Sequence, residues 1–243
     1  MSCILLFLVN CKSQYHITSS QQQYDINSTL AKDSSVIALY APYKANIDSQ
    51  MNVIVGHALT EIHRSRPEGR LNNLAADGIS IIAKQHGIKF DLIHLNYKAL
   101  RVPIPAGAIK THKIFEFLPF ENILVTVKLK GYDVKELFNY MAKLGGDAIS
   151  GASFKIENKE ATNIKINGKA FDPTLTYIIL TNDFLANGGD GALFYNNSLE
   201  RHDTTLKQRD LFFEYLLIEL RSGRVLDPKL DGRITSDKIM EDE

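Results

Sequence analysis

Three stretches of the chain place apolar residues at helical spacing. Each predicts an amphipathic helix with a buried face, because residues three and four positions apart share one side of a helix. A glycine follows the first stretch and a glycine pair the second, as is common at helix ends. The predicted inward residues are Leu71, Leu74, Ala75, Gly78, Ile79, Ile82 and Ala83; then Val134, Leu137, Phe138 and Met141; and last Leu211, Phe212, Tyr215, Leu216 and Leu220.

Short apolar runs between these helices predict strands. They cover residues 90–95, 123–131, 164–166 and 177–180. Since strands alternate with helices, the sequence predicts an α/β fold, a single domain over residues 36–239 with a mixed sheet flanked by helices. We expect residues 35–42 to form its first strand. Thr111 is a candidate N-cap, and Phe115 and Phe117 are expected in the core.

The first 35 residues have a different pattern. A compact apolar run, residues 3–9, precedes Cys11 and resembles the end of a bacterial lipoprotein signal. Residues 1–11 are therefore expected to be its remnant, with Cys11 lipidated, and the polar residues 12–35 a flexible tether. We expect a periplasmic or cell-envelope protein that reaches the membrane only through this lipid. The alternative is an ordinary N-terminal strand or a frayed segment.

Composition narrows the classes of function. The formal net charge is zero, so no overall field steers the chain toward nucleic acid. The only cysteines are Cys3 and Cys11, which excludes a disulfide framework and cysteine-ligated zinc in the folded domain. His57 and His63 lack the companion residues of a metal motif, so we expect no metal site in this chain.

Residues 181–191 carry the candidate chemistry. The apolar run 177–180 leads into Phe184, the glycine pair Gly188 and Gly189, and the carboxylate of Asp190. Glycines let a ligand approach the main chain, a carboxylate accepts hydrogen bonds from paired hydroxyls, and a phenyl ring can stack on a base. The alternative is a strand followed by a glycine-rich turn with a core phenylalanine.

Residues 182–191, which read Asn-Asp-Phe-Leu-Ala-Asn-Gly-Gly-Asp-Gly, closely resemble the signature of the C-terminal, substrate-binding domain of the 5'-nucleotidase / UDP-sugar hydrolase family. Further segments resemble that family in the same order along the chain. The resemblance covers about residues 50 to 236. These segments are residues 66–68 with 71–77, 96–101, 118–122 and 150–151.

The resemblance implies a role for each matching residue. One set of residues would contact the nucleoside part of a nucleotide, and another set its phosphate groups. Tyr97, Lys98 and Ala99 replace three glycines of the family motif, and we expect Tyr97 and Lys98 to fill part of the space that those glycines leave open. The implied roles are Asn96 for the base, Phe120 and Phe184 for stacking on its two faces, Asp190 for the ribose hydroxyls, Arg101 for phosphate, Arg66 (or Arg64) for the nucleotide, and Gly188 and Gly189 for the turn.

Full-length members of the family hydrolyse nucleotides with a separate N-terminal metallophosphoesterase domain that holds two divalent cations. We expect that domain on a separately encoded partner, because the residues before Met51 are too few to hold it. This chain would then be the substrate-binding part of a split nucleotidase, without catalytic residues or cofactors of its own. Two alternatives remain: a non-catalytic lipoprotein that binds nucleosides or nucleotides, and a fold retained for an unrelated interaction.

Overall fold

The computed structural model describes residues 19, 21, 23–27 and 29–238. The chain divides into two compact units, residues 1–44 and residues 45–243, and every strand of the described residues lies in the second. Cys11, the expected lipidation site, lies outside the described residues. The domain boundaries expected after residues 11, 35 and 239 stay predictions.

The first helix, α1 (Ser34–Met51), occupies the stretch in which we expected a strand. The expectation for residues 35–42 is wrong because Asp33 starts a helix there. Its carboxylate accepts hydrogen bonds from the backbone N–H groups of Ser35 at 2.8 Å and Val36 at 3.3 Å, as an N-cap does. Hydrogen bonds, first of all from the Ser35 hydroxyl, lower the pKa of Asp33. No residue of α1 is buried.

The remaining elements alternate as the sequence predicts. The other helices are α2 (Arg70–Gln85), α3 (Thr111–Phe117), α4 (Gly131–Leu144), α5 (Asp183–Ala186) and α6 (Gln208–Arg221). The strands are β1 (Ile54–Ala58), β2 (Leu92–Leu95), β3 (Gly107–Lys110), β4 (Ile123–Lys130), β5 (Ala148–Ser150), β6 (Ala152–Glu157), β7 (Glu160–Ile166), β8 (Lys169–Ala170), β9 (Thr176–Asn182), β10 (Glu200–Lys207) and β11 (Ile234–Ser236).

The strands form three sheets. The largest has five strands in the order β10-β4-β9-β2-β5; β2 and β9 are parallel and the other neighbours antiparallel. The second has the order β11-β6-β7-β8, and β1 pairs with β3. The mixed sheet flanked by helices confirms the predicted α/β class.

Two apolar cores hold the sheets and helices together. One lies between α2, α6 and the β1–β3 pair, and it buries the inward face predicted for α2. The other covers the opposite side, where α4 packs Val134, Leu137, Phe138 and Met141 against β4, β6 and β7. On α6, Leu211, Phe212 and Leu216 are buried, whereas Tyr215 and Leu220 are only partly buried.

The parallel pair β2 and β9 positions the candidate site. Leu92 pairs with Ile179 and Ile93 with Leu180, so both strands end at the same edge of the sheet. Asn96 follows β2 directly, and Asn182 is the last residue of β9. In α/β sheets, ligands commonly bind at the carboxyl ends of parallel strands.

Candidate functional site

The turn after β9 brings Phe184 to the surface. Asn182 caps the short helix α5, because its Oδ1 accepts a hydrogen bond of 2.9 Å from the backbone N–H of Leu185. Leu185 and Ala186 are buried beneath the turn. Phe184, one position earlier, is 43% exposed. The expected alternative, a core phenylalanine, does not describe this residue.

Gly189, the second residue of the glycine pair, is packed directly against Phe184. A Cβ on Gly189 would lie 2.5 Å from the Phe184 carbonyl oxygen and 2.6 Å from its ring atom Cε1, so no other residue fits there without displacing the ring. Gly188 has a φ of +83°, a conformation that glycine adopts without strain. Asp190 follows with a φ of +54° in the left-handed region that aspartate tolerates better than most residues.

The loop between α3 and β4 carries the second ring, Phe120, which is 49% exposed. Arg209, at the start of α6, holds this loop from behind. Its Nη1 donates to the carbonyl oxygens of Leu118 at 3.1 Å and Pro119 at 3.2 Å, and its Nη2 donates to Glu121. The buried guanidinium therefore satisfies two loop carbonyls and fixes the position of Phe120.

Two expectations for α3 are corrected by the structure. Thr111 is the first helical residue rather than the N-cap, and its hydroxyl donates to the Val53 carbonyl at 3.3 Å. Phe117 is buried as expected, but Phe115 is 38% exposed. The Arg209 guanidinium lies over the Phe115 ring, with its carbon Cζ 4.3 Å from the ring centroid. This cation–π contact keeps the ring at the surface.

Asn96 and Asp190 join the two halves of the site. Asn96 Nδ2 donates to Asp190 Oδ2 at 3.0 Å, which links the end of β2 to the glycine-rich turn. Behind it, Asn182 Nδ2 donates to Asn96 Oδ1 at 3.3 Å and to Gln208 Oε1 at 3.0 Å. The hydroxyl of Tyr140, on α4, donates to the Asp190 carbonyl at 3.1 Å. Asn96 thus holds the Asp190 carboxylate and Tyr140 its main-chain carbonyl, while Asn182 holds Asn96 from behind.

Asn96 and Asp190 border one cleft of about 220 Å³ together with Phe120 and Phe184. This volume is below the roughly 300–1,000 Å³ of pockets for drug-sized ligands, and it suits one flat ring with its substituents left outside. Within residues 29–238, the side chains of Lys98 and Arg101 form no ion pair, so both cations remain available at the rim. The cleft is lined by Asn96, Lys98, Ala99, Arg101, Phe120, Asn122, Phe184 and Asp190.

Five of the eight predicted binding residues line this cleft: Asn96, Arg101, Phe120, Phe184 and Asp190. The other three, Arg66, Gly188 and Gly189, do not. The two glycines instead shape the turn that carries Asp190. Their geometry is what the sequence led us to expect, and their ligand contacts stay predictions.

The substituted glycine positions explain where Arg66 lies. Tyr97 is buried outside the cleft, and its ring centroid is 4.4 Å from the guanidinium carbon of both Arg64 and Arg66. Arg64 Nη1 also donates to the carbonyl oxygens of Tyr97 and Leu100. Lys98 and Ala99 border the cleft and Tyr97 does not, so Tyr97 does not fill the space we expected it to fill.

A buried polar group beneath the site was missed by sequence reasoning. His94, on β2, contacts the Tyr195 hydroxyl through Nδ1 at 2.9 Å and Asp147 Oδ2 through Nε2 at 3.0 Å. Asp147 also accepts a hydrogen bond from the backbone N–H of Tyr97, which anchors the turn after Asn96. Burial raises the pKa of Tyr195. Tyr195 and Asp147 lie 101 and 53 positions from His94 along the chain, so no local motif could indicate this group.

The described residues contain no group of three or more His, Cys, Asp or Glu side chains arranged to hold a metal ion. Across the same residues, we find no helix whose length and apolar character would let it cross a membrane.

Comparison with known families identifies the fold. The model of the family described as 5'-nucleotidase, C-terminal domain, matches residues 21–196, well over half of the chain. The protein belongs to this 5'-nucleotidase C-terminal domain family. The match includes the β2 and β9 ends and both phenylalanines of the cleft, and it confirms the resemblance read from residues 182–191.

Individual relatives agree with this family. The protein is 28% identical to Protein UshA of Yersinia enterocolitica over 167 residues, 67% of this chain and 30% of UshA. It is 24% identical to a 5'-nucleotidase of Vibrio cholerae over 191 residues, 76% of this chain and 34% of the relative. The chain therefore spans about a third of the length of these curated relatives.

Solved structures show the same fold. The 5'-nucleotidase precursor from Thermus thermophilus superposes with a TM-score of 0.68 at 25% identity, over 84% of this chain and 42% of that one. The NAD nucleotidase of Haemophilus influenzae superposes with a TM-score of 0.63 at 19% identity, over 85% and 42%. The second likeness concerns the fold alone.

Proposed function

We propose that this 5'-nucleotidase C-terminal domain binds the nucleoside part of a nucleotide in the cleft between Phe120 and Phe184. The base stacks between the two rings, and each stack contributes about 1–3 kcal/mol. Asn96 bonds the edge of the base, and the Asp190 carboxylate accepts hydrogen bonds from the ribose hydroxyls. Arg101 takes the phosphate side, with Lys98 beside it.

One observation carries this proposal. Two half-exposed phenylalanines, one in the loop after α3 and one in the short helix α5, border the same cleft. The cleft also has a carboxylate and an amide that are hydrogen-bonded to each other. Two exposed rings at one cleft offer two flat apolar faces on which a base can stack. The cleft is also lined by the cations of Lys98 and Arg101 and by the carboxylate of Asp190, which suits a ligand with both hydroxyls and phosphate.

Hydrolysis, in this proposal, requires a metallophosphoesterase partner that supplies two divalent cations. The metals activate water and stabilise the charge on the transferred phosphoryl group, while this chain delivers the substrate. The protein acts in the periplasm or cell envelope, anchored through a lipid at Cys11. The family membership and the share of each relative that this chain matches motivate this part of the proposal.

The binding claim is tested by calorimetric titration of the purified protein with adenosine, AMP and UDP-glucose. Phe184→Ala and Asp190→Ala should each lower the affinity for the best-binding ligand by about 5- to 150-fold, the equivalent of 1–3 kcal/mol. Tyr132→Ala is the matched control, because Tyr132 is 70% exposed and does not border the cleft. A folded native protein that binds none of the three ligands, or equal affinity in all variants, contradicts the proposal.

The partner claim needs a separate experiment. The protein purified from its native cells with its associated proteins should release phosphate from AMP in a reaction that EDTA abolishes. The same preparation carrying Asp190→Ala should lose most of this activity. Nucleoside binding without any co-purifying, metal-dependent hydrolysis would show a binding protein that acts without this partner.

A further inference from the structure

A buried carboxylate anchors the turn that follows Asn96. Asp147 lies between α4 and β5 and is 1% exposed. Its Oδ1 accepts hydrogen bonds from the backbone N–H groups of Tyr97 and Ala148, and its Oδ2 contacts His94 Nε2 at 3.0 Å. A buried carboxylate is stable only when hydrogen bonds replace the water that it has lost. Asp147 therefore needs its donors, and one of them belongs to the turn.

The second oxygen of Asp147 is held by His94, which keeps the carboxylate facing Tyr97. His94 lies on β2 and is fully buried, and its Nδ1 contacts the Tyr195 hydroxyl at 2.9 Å. Because the carboxylate accepts from Nε2–H, Nδ1 of the neutral ring is an acceptor for the Tyr195 hydroxyl. Each buried group thus has its partner, and the carboxylate stays in place without a ligand.

The turn that Asp147 anchors has one charged side chain, Lys98. The turn is a single turn of 3₁₀ helix, in which Tyr97 and Ala99 are buried and Lys98 is exposed. Arg64 Nη1 donates to the Tyr97 carbonyl oxygen at 3.2 Å, while Asp147 accepts from the Tyr97 N–H. The main chain is therefore fixed on both sides of the peptide unit before Lys98, whose side chain borders the cleft.

The other groups of the cleft have supports that do not depend on Asp147. The backbone N–H of Arg101 donates to the Phe117 carbonyl at 3.0 Å, so α3 fixes the second cation of the cleft. The Asn96 side chain is held by two other side chains. A change at Asp147 should therefore displace Lys98 and leave the nucleoside contacts in place.

We propose that Asp147 is a positioning residue for the phosphate side of the cleft. Through the turn that it anchors, it holds the Lys98 cation where a phosphate beside the nucleoside can contact it, so that this chain binds nucleotides in preference to free nucleosides. This inference rests on the proposed nucleoside site and specifies its substrate class. A hydrogen bond between a lysine and a phosphate is charge-assisted, and its loss should lower the affinity for the phosphorylated ligand alone by about fivefold or more.

The test compares AMP with adenosine by calorimetric titration, so that the ratio of the two affinities reports the contribution of the phosphate. The native protein should bind AMP about tenfold or more tightly than adenosine. Lys98→Met and Asp147→Ala should each lower this ratio by about fivefold and change adenosine affinity by about twofold or less. Lys169→Met, in the exposed strand β8, is the control and should keep the ratio.

Two further variants separate positioning from a general loss of packing. In the double variant Asp147→Ala with Lys98→Met, the ratio should fall no further than in either single variant, because both changes remove the same contact. Asp147→Asn keeps an oxygen for the Tyr97 N–H and presents an NH₂ group to His94, which accepts it in its other neutral tautomer. This conservative variant should keep the ratio within about twofold of the native value.

Three results overturn the inference. They are equal losses of AMP and adenosine affinity in Asp147→Ala, a further loss of the ratio in the double variant, and a loss in Asp147→Asn as large as in Asp147→Ala. Lys98→Met leaves the core untouched, so an unchanged ratio in that variant overturns the inference even if Asp147→Ala does not fold.

A ligand-free measurement separates this inference from the proposed function. The Tyr97 amide proton, followed by NMR, should exchange slowly with water in the native protein and in Asp147→Asn, which keeps its acceptor. In Asp147→Ala it should exchange about tenfold or more faster. Unchanged exchange in Asp147→Ala overturns the inference. An anchored turn in a native protein that binds neither ligand contradicts the proposed function, whereas equal affinity for AMP and adenosine contradicts this inference alone.

Discussion

The two phenylalanines that border the cleft are held in different ways. Phe184 is supported by its own neighbours: Asn182 caps its turn, and Gly189 leaves room for its ring. Phe120 is supported from far along the chain, by Arg209 bonding to carbonyls 90 and 91 positions earlier. The rings are nevertheless similarly exposed, at 43% and 49%. A local glycine-rich turn and one distant guanidinium thus achieve the same presentation.

Because the two rings are supported differently, different substitutions should disturb each of them. The Phe184 turn depends on the absence of a side chain, so adding a single methyl group should disturb it. The Phe120 loop depends on the presence of one charged side chain, so removing that side chain should disturb it. The following predictions run from the largest expected effect to the smallest.

Gly189→Ala should have the largest effect. The new methyl group would lie 2.5 Å from the Phe184 carbonyl oxygen and 2.6 Å from its ring. Overpacking of this kind costs roughly 1–3 kcal/mol, and we expect the upper part of that range in chemical denaturation. Nucleoside affinity should fall at least as far as in Phe184→Ala.

The control for this change is Gly56→Ala. Its new Cβ would make ordinary contacts, the nearest at 3.5 Å from Ile109 Cδ1. If both variants lost the same stability, or if Gly189→Ala bound nucleosides normally, the ring would not depend on this glycine.

Arg209→Met should have an intermediate effect. It removes the donors to the Leu118 and Pro119 carbonyls but keeps most of the apolar stem of the side chain. Leaving partly buried carbonyls unpaired should lower the free energy of unfolding by about 1–2 kcal/mol. Binding should weaken as in Phe120→Ala, because the loop is no longer held.

Arg224→Met provides the matched comparison, since Arg224 pairs with Glu219 on the surface. Exposed ion pairs contribute about 0–1 kcal/mol, and this site is away from the cleft. Equal losses for Arg209→Met and Arg224→Met would remove the special role of Arg209.

Acid should weaken the Phe120 loop slightly. Hydrogen bonds from Lys207 and then Arg209 hold the pKa of Glu121 below its usual value of 4.5. A carboxylate with a lowered folded-state pKa stabilises the fold above its unfolded-state pKa, and this contribution is lost as the pH falls through the lowered value. The stability difference between the native protein and Glu121→Gln should therefore be present at neutral pH and vanish in acid. A difference that stays constant with pH would contradict this.

Much of the fold could be predicted from periodicity alone. The buried stripe of α4 and the strand β4 lie where their apolar spacing indicates, because both elements bury one face against the same core. The strand expected at residues 35–42 was wrong because a single capping side chain, Asp33, decides the local conformation. Phe115 was misplaced because its partner Arg209 lies far along the chain, beyond any local pattern.

Some residues of the candidate site could be predicted from the sequence, and others could not. Phe120, Phe184 and Asp190 stand in recognisable motifs, so their grouping could be anticipated from the family resemblance. Arg209, His94 and the amide chain from Gln208 could not, because each acts across a distance that only the folded sheet closes. The sequence motifs name the groups that face the ligand, and the fold determines what holds them.

The most direct test of the central claim uses the absence of tryptophan from the chain. Phe120→Trp and Phe184→Trp each introduce a single fluorescent ring at one wall of the cleft, and a stacked base quenches its emission. Titration with the best-binding nucleoside should quench the fluorescence of both variants. For each variant, the ligand concentration at half-maximal quenching should match the dissociation constant that calorimetry gives for that variant. Quenching of one variant alone, with the other unchanged at saturating ligand, would show that the two rings do not hold one base.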